Sequence, residues 1–262
     1  MMKKIIIMII GTVFIAGCSW SSLFKSKKTI VPMPEITTKC CRLAQFKSIV
    51  VKDGASVELV NGSPAIEISG IRADKYDCQS FVVNNILYVS NNIKDKAPNV
   101  VMKVTAPDLK NITVMDRATI NAEKFKGNNL VVTAKGKGDI NLEGQINVKN
   151  IFQLGSGRIN IDWVDSVALR VDGSGSGPIC LAGRVDNMIV KLVKSSNLNA
   201  RYLRARNASV FTVDKSTAEV TAIESLGAFA VDHSSIYYYK TPDKITVVTR
   251  DSGNVLQLGW MQ

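Results

Sequence analysis

The chain holds a single histidine, His233, among 262 residues. It stands between Asp232 and Ser234, but adjacent residues cannot adopt the geometry of a Ser–His–acid triad. It is therefore read as a solvated turn residue rather than a base. Aromatic residues make up only 6% of the chain. No recognition helix, zinc finger or aromatic-basic motif occurs, which excludes nucleic acid as a partner. No apolar run approaches the roughly 20 residues of a membrane-spanning helix. The longest, Ile5 to Ala16, has 12 residues. Acidic residues are also scarce, 22 against 33 Lys and Arg, for a formal net charge of +11.

Lys3 and Lys4 precede the apolar run, which ends Ile15-Ala16-Gly17-Cys18. A short positive start, an apolar stretch of this length and small residues before a cut site read as a secretory signal. The ending resembles the lipobox of bacterial lipoproteins. That resemblance implies cleavage before Cys18, a diacylglycerol on its thiol and, with Ser19 following, release to the outer membrane. Several acyl chains on one residue anchor stably where a single chain would be marginal. Residues 1–17 are expected to be the signal peptide. Residues 18–44 are expected to be the lipidated cysteine and a flexible tether, since Trp20 to Thr38 shows no sustained period of 2 or 3.6. Loss of Lys3 and Lys4 leaves a mature charge of +9, two below the full chain. In the cell envelope that sign suits an acidic protein, an anionic glycan or an anionic lipid.

Cys40, Cys41, Cys78 and Cys180 remain after Cys18. Neighbouring Cys40 and Cys41 are poorly placed to bond each other. One of them with Cys78 is the candidate disulfide, in a compartment that permits one. Cys180 lies between Ile179 and Leu181, so it faces away from them as a candidate free thiol. The spacing matches no standard zinc site, and no metal or cofactor is expected.

From Phe46 onward the chain alternates apolar and polar residues between short turns, the pattern of half-buried strands. Beyond residue 100 it repeats. Ile120, Ile140, Ile159, Ile179, Leu198, Ala218, Ile236 and Val255 each follow a small or polar turn, at steps of 18 to 20. The residue two places on is apolar in every copy except the last, Gln257. Gly136-x-Gly138 is no phosphate loop, because the same unit recurs between strands and no helix follows. A fixed all-strand period predicts a β-solenoid of about ten rungs over residues 45–262. At one strand spacing per coil it would be roughly 50 Å long. An antiparallel sandwich fits short strands too, but does not require turns recurring in phase.

The units Gly136-Lys137-Gly138-Asp139-Ile140-Asn141 and Gly155-Ser156-Gly157-Arg158-Ile159-Asn160 resemble the bacterial head GIN domain family of auto-transporter adhesins. So do the Phe46-x-x-Ile49-x-Val51 segment and Val104-x-Ala-Pro107-x-Leu109-x-x-Ile112. The resemblance runs from about Phe46 to Leu258. It implies a right-handed parallel β-helix on a secreted or lipid-anchored protein.

Two kinds of function stand open on the sequence. One is a lipid-anchored binding or structural protein of the envelope, adhesin-like or an accessory part of an outer-membrane assembly such as a secretion complex. The other is a carbohydrate-active β-helix enzyme, a lyase or hydrolase. The carboxylates Asp139, Glu143, Asp162 and Asp165 fall close in sequence, but Asp139 aligns with Arg158 and Pro178, so no acidic column forms. No catalytic residue is assigned, and the binding reading is preferred. Its candidate surface is the basic run Lys191, Lys194, Arg201, Arg204 and Arg206, expected to stack with Arg170, Arg184 and Lys215 on one face. Tyr237 and Tyr239 are expected to point outward together, suited to sugar or protein contacts.

Overall fold

The computed structural model describes residues 36–71, 78–91 and 100–259. The signal peptide, Cys18 and most of the expected tether lie outside these residues. All described regular structure is strand. The N-terminal strands are β1 (Ile36–Arg42), β2 (Ser48–Lys52), β3 (Ser56–Asn61), β4 (Ala65–Ile71), β5 (Cys78–Val83), β6 (Ile86–Asn91), β7 (Val101–Ala106), β8 (Asn111–Asp116) and β9 (Thr119–Ala122). The repeat follows as β10 (Gly127–Gly136), β11 (Ile140–Gln153), β12 (Ile159–Gly173), β13 (Pro178–Leu192), β14 (Asn197–Thr212) and β15 (Thr217–Ala230). The chain then forms β16 (Ser235–Tyr238), β17 (Lys244–Thr249) and β18 (Asn254–Gln257).

Residues one period apart pair in parallel. Ile120, Ile140, Ile159, Ile179, Leu198, Ala218 and Ile236 lie in direct register and are fully buried. The fold is a parallel β-solenoid of about seven turns. The register shifts once or twice between successive coils of the repeat, and each coil presents three flanks. The first flank carries the Ile140 column. The second carries Ile146, Val164 and Leu203, with Gly183 in the same column. The third carries Ile112, Val132, Ile151, Val171, Val190, Val210 and Ala228. These columns form one continuous apolar core. Each fully buried Ile, Leu or Val in it contributes about 1.5–3 kcal/mol, which no single coil could collect alone.

The spatial order of the first coils departs from chain order. Strand β2 lies between β6 and β8, and β3 lies between β7 and β9. The coil nearest the N-terminus is thus inserted between two later ones. The first and third flanks are each ten parallel strands deep, close to the rung number expected, while complete turns are fewer because the end coils lack a second flank. Antiparallel strands finish the N-terminal end: β4 lies on β7, β1 lies on β4, and β5 lies on β6. Ile36–Arg42, expected as tether, is therefore part of the body, its β-branched Ile-Thr-Thr start favouring a strand. Cys40 and Cys41 on β1 are free thiols, and the side chain of Cys78 lies outside the described residues.

Glycines at the corner from third to first flank serve close stacking more than backbone freedom. A Cβ on Gly138, Gly155, Gly157, Gly175 or Gly177 would lie 1.7 to 2.0 Å from a carbonyl oxygen of the coil below. Among the Gly-x-Gly corners only Gly136 has positive φ, at 113°. The later corners replace this packing with a buried serine ladder. Ser196, Ser216 and Ser234 donate to the carbonyls of Val193, Val213 and Val231 at 2.8 Å each. Their left-handed positions are taken by Lys194, Asp214 and Asp232 instead of glycine.

Candidate functional site

The five residues of the basic run do not share a face. Lys191 to Arg206 spans most of one coil, so the window wraps around the solenoid. Lys191 points outward on the third flank, in register with Asp172 and Phe211. Lys194 occupies the next corner, where its N–H donates to the Asp214 carboxylate at 2.8 Å. Arg201 sits at the bend from first to second flank. Arg204 lies on the second flank in register with Arg184. Arg206 stands at the following bend, 3.8 Å from Asp186 and 3.5 Å from Glu224. Acidic neighbours also hold the residues expected to join the run. Arg170 pairs with Asp172 at 2.6 Å, and Arg184 grips both oxygens of Asp165 at 2.8 and 3.0 Å.

On the second flank these residues line a groove of about 670 Å³. The Arg184 guanidinium and the Gln145 amide, 2.5 Å away, hold the Asp165 carboxyl below its usual range. The same bond raises Arg184 above its usual value. Three guanidinium groups, from Arg184, Arg204 and Arg206, meet three carboxylates, from Asp165, Asp186 and Glu224. The groove is thus formally neutral, a charge lattice with no excess for an anion.

A second cluster forms where the first flank ends. The β14–β15 register shifts between Ala200 and Arg204, and this bulge turns Arg201 and Tyr202 outward. The Arg201 guanidinium carbon lies 4.5 Å from the Tyr202 ring centroid and 5.9 Å from that of Tyr239. Arg201 Nη2 donates to the Tyr202 hydroxyl at 2.5 Å. Tyr239 donates to Glu219 Oε2 at 2.7 Å. That bond, with partial burial, raises the Tyr239 phenol, and the tyrosine hydroxyls raise Arg201. Arg201 Nε is buried with no hydrogen-bond partner. The Tyr202 ring remains 55% exposed. Cation–π stacking of this kind fixes both side chains and leaves an aromatic surface beside Glu219. Arg201 and Tyr239 belonged to separate signals in the sequence, a basic run and a tyrosine triplet. The signal that joins them is the repeat, which sets them two periods apart.

The remaining candidates are dispersed. Asp139 Oδ1 accepts the Arg158 N–H at 2.7 Å, and Asp162 Oδ1 accepts Asn160 Nδ2 at 2.7 Å. Glu143 lies in another groove with Glu58, Lys103 and Glu123. No group of three or more His, Cys, Asp or Glu among the described residues is placed to hold a metal ion. His233 is exposed at a corner, and Cys180 is a half-buried free thiol in the outward column of Asn141, Asn160 and Asn199.

The solenoid's interior is a continuous apolar core, and the polar clusters described above lie on its outer wall. Residues 45–242 match the family model described as putative auto-transporter adhesin, head GIN domain, and the chain belongs to that family. No curated protein matches the chain significantly. Among solved structures it is similar to a putative lipid binding protein from Parabacteroides distasonis, at 19% identity and a TM-score of 0.76, covering 85% of this chain and 96% of that one. A putative adhesin from the same organism shares 18% identity with a TM-score of 0.77, over 86% of this chain and 97% of its own. One from Parabacteroides merdae shares 18% with a TM-score of 0.73, over 86% and 96%. At such identity these likenesses show the fold. The family and these neighbours are described as adhesins or lipid-binding proteins, not as enzymes.

Proposed function

We propose that this protein is a lipid-anchored binding module of the bacterial outer membrane, held through Cys18 and acting by contact rather than catalysis. Its adhesive surface is the Arg201–Tyr202–Tyr239–Glu219 cluster, and its partner is an envelope protein or an anionic glycan or lipid. The observation that carries this reading is the half-exposed Tyr202 ring clamped by a guanidinium at a bulge. Rigid aromatic and arginine side chains are the residue types that dominate binding hot spots. The family description and the lipid-binding relative support an envelope setting. An accessory role in an outer-membrane assembly such as a secretion complex fits the same surface.

Two measurements test the proposal. Cys18→Ser should move the full chain out of the membrane fraction; continued fractionation with membranes would sink the anchoring claim. Crosslinking capture from envelope membranes should recover a partner that Tyr202→Ala loses. A partner retained in full by Tyr202→Ala removes the cluster from the proposal.

A further inference from the structure

The two ends of the stack are finished differently. The N-terminal end is closed by antiparallel strands, β1 on the first flank, which carries Lys39 and Arg42, and the uncharged β5 on the third. Charges on an edge strand discourage further pairing. At the other end β17 and β18 are the last strands: β17 pairs only with β15 and β18 only with β16 among the described strands. Ile245 and Val247 continue the columns of Leu226 and Ala228. Leu226 and Ala228 are buried, whereas Ile245 and Val247 are 42% and 47% exposed. The backbone is open as well. The Arg250 N–H donates inward to the Ala230 carbonyl at 3.0 Å. Successive residues of a parallel strand turn their polar groups to opposite sides. The N–H and C=O groups of Ile245, Val247 and Thr249 therefore face out of the end of the stack, a template for another strand.

We infer that a second copy of this chain docks there, β17 against β17, antiparallel about a twofold axis. Pairing of like ends closes the assembly, whereas head-to-tail stacking would meet the antiparallel strands of the other end. The edge also selects its own register. Directly opposed residues share a face, so Ile245 and Val247 must oppose residues of their own row. If Val247 faced the partner's Val247, Lys244 would face Arg250 of the partner subunit, and like charges opposed are unfavourable. One step away, Thr246 meets the partner's Thr246. Ile245 then faces the partner's Val247, and Lys244 faces the partner's Val248. Asp243 comes within one residue of Arg250 of the partner subunit, twice by symmetry. Asp243 and Arg250 form no ion pair among the described residues. The run Asp243-Lys244-Ile245-Thr246-Val247-Val248-Thr249-Arg250 thus supplies matched β-branched rows and complementary ends to a copy of itself. This inference does not rest on the envelope reading.

The experiment uses the full chain in detergent. Thr246→Cys stands on the axis, where opposed Cα atoms of a non-hydrogen-bonded pair are about 4.5 Å apart, within disulfide reach. Under mild oxidation it should give a covalent dimer in excess of the unsubstituted chain. Ser209→Cys, two coils back in the same outward column, should not. Sedimentation should give twice the mass of one chain. Asp243→Arg should weaken the dimer roughly tenfold, and Asp243→Arg with Arg250→Asp should restore it. A monomer without the Thr246→Cys crosslink overturns the inference. So do equal crosslinking at Ser209→Cys, an open-ended ladder of oligomers, and a Thr246→Cys crosslink to a different protein.

Discussion

Gly157 lies directly over Gly138, so that a Cβ on Gly157 would stand 1.9 Å from the Gly138 carbonyl oxygen. The obstacle is backbone held in the stack, so it cannot swing aside. Gly157→Ala should lower stability by at least about 3 kcal/mol, at the upper end of overpacking costs. Gly227 provides the contrast. Its added Cβ would press on the Phe229 ring at 3.3 Å, which can turn, and would otherwise meet only Ser209 Oγ at an ordinary 4.0 Å. Gly227→Ala should cost less than about 1 kcal/mol. Thermal melts of the two variants make the comparison, and equal melting temperatures would refute the stacking account.

The serine ladder makes a separate prediction. Ser216 is fully buried, donates to Val213 and accepts the Val213 N–H at 3.1 Å. Ser216→Ala removes its hydrogen bonds to the Val213 N–H and to the Val213 and Leu192 carbonyls, each of which keeps a backbone partner, at a cost of about 0.5–1.5 kcal/mol. Lys215→Ala, one residue away at an exposed tip, should change stability by less than about 0.5 kcal/mol. Denaturant unfolding of both variants checks the difference.

In the first-flank column, Ile159→Ala should cost about 2–5 kcal/mol, because Ile140 and Ile179 above and below are held by their own coils and cannot close the gap. Ile159→Asp should prevent accumulation of folded protein, since a buried charge there has no partner. Soluble yield and circular dichroism would read both. A folded, soluble Ile159→Asp chain would contradict the register.

Asp165 links stability to pH. Its carboxyl titrates below the ordinary aspartate value of 3.8 in the folded chain, chiefly through the Arg184 bond. A depressed value means stabilisation that is present above 3.8 and lost as pH falls through the folded value. Asp165→Asn should therefore flatten the acid limb of a plot of melting temperature against pH, and should do so less in high salt. An unchanged acid limb would show that the bond contributes nothing measurable.

The repeat was legible in the sequence because a parallel stack copies its inward residues. Ile140, Ile159 and Ile179 announce one another at every turn of the chain. Cys180 was rightly turned outward by the same alternation. The place of β2 was not legible, because the strand alternates like its neighbours and nothing local says that β6 and β8 will flank it. The basic run misled for a geometric reason. Clustering along a chain means proximity only when the cluster is much shorter than a coil, and Lys191 to Arg206 is not. Arg201 met Tyr239 because of a bulge, where β14 advances from Ala200 to Arg204 while β15 advances only from Val220 to Thr221, a change of register that alternation does not encode.

The inserted first coil also constrains the order of assembly. Strands β2 and β3 leave the synthetic machinery early, yet both neighbours of each come later, as β6 with β8 and β7 with β9. Growth by adding coils one after another from the N-terminus is thus impossible at the start. The first stable nucleus must gather three stretches reaching to Ala122, at a high loop-closure cost. Only from there can the remaining coils zip on in sequence toward the C-terminus. The slow event of folding is therefore expected in the least regular third of the chain, and the repeat that dominates its appearance follows rapidly behind.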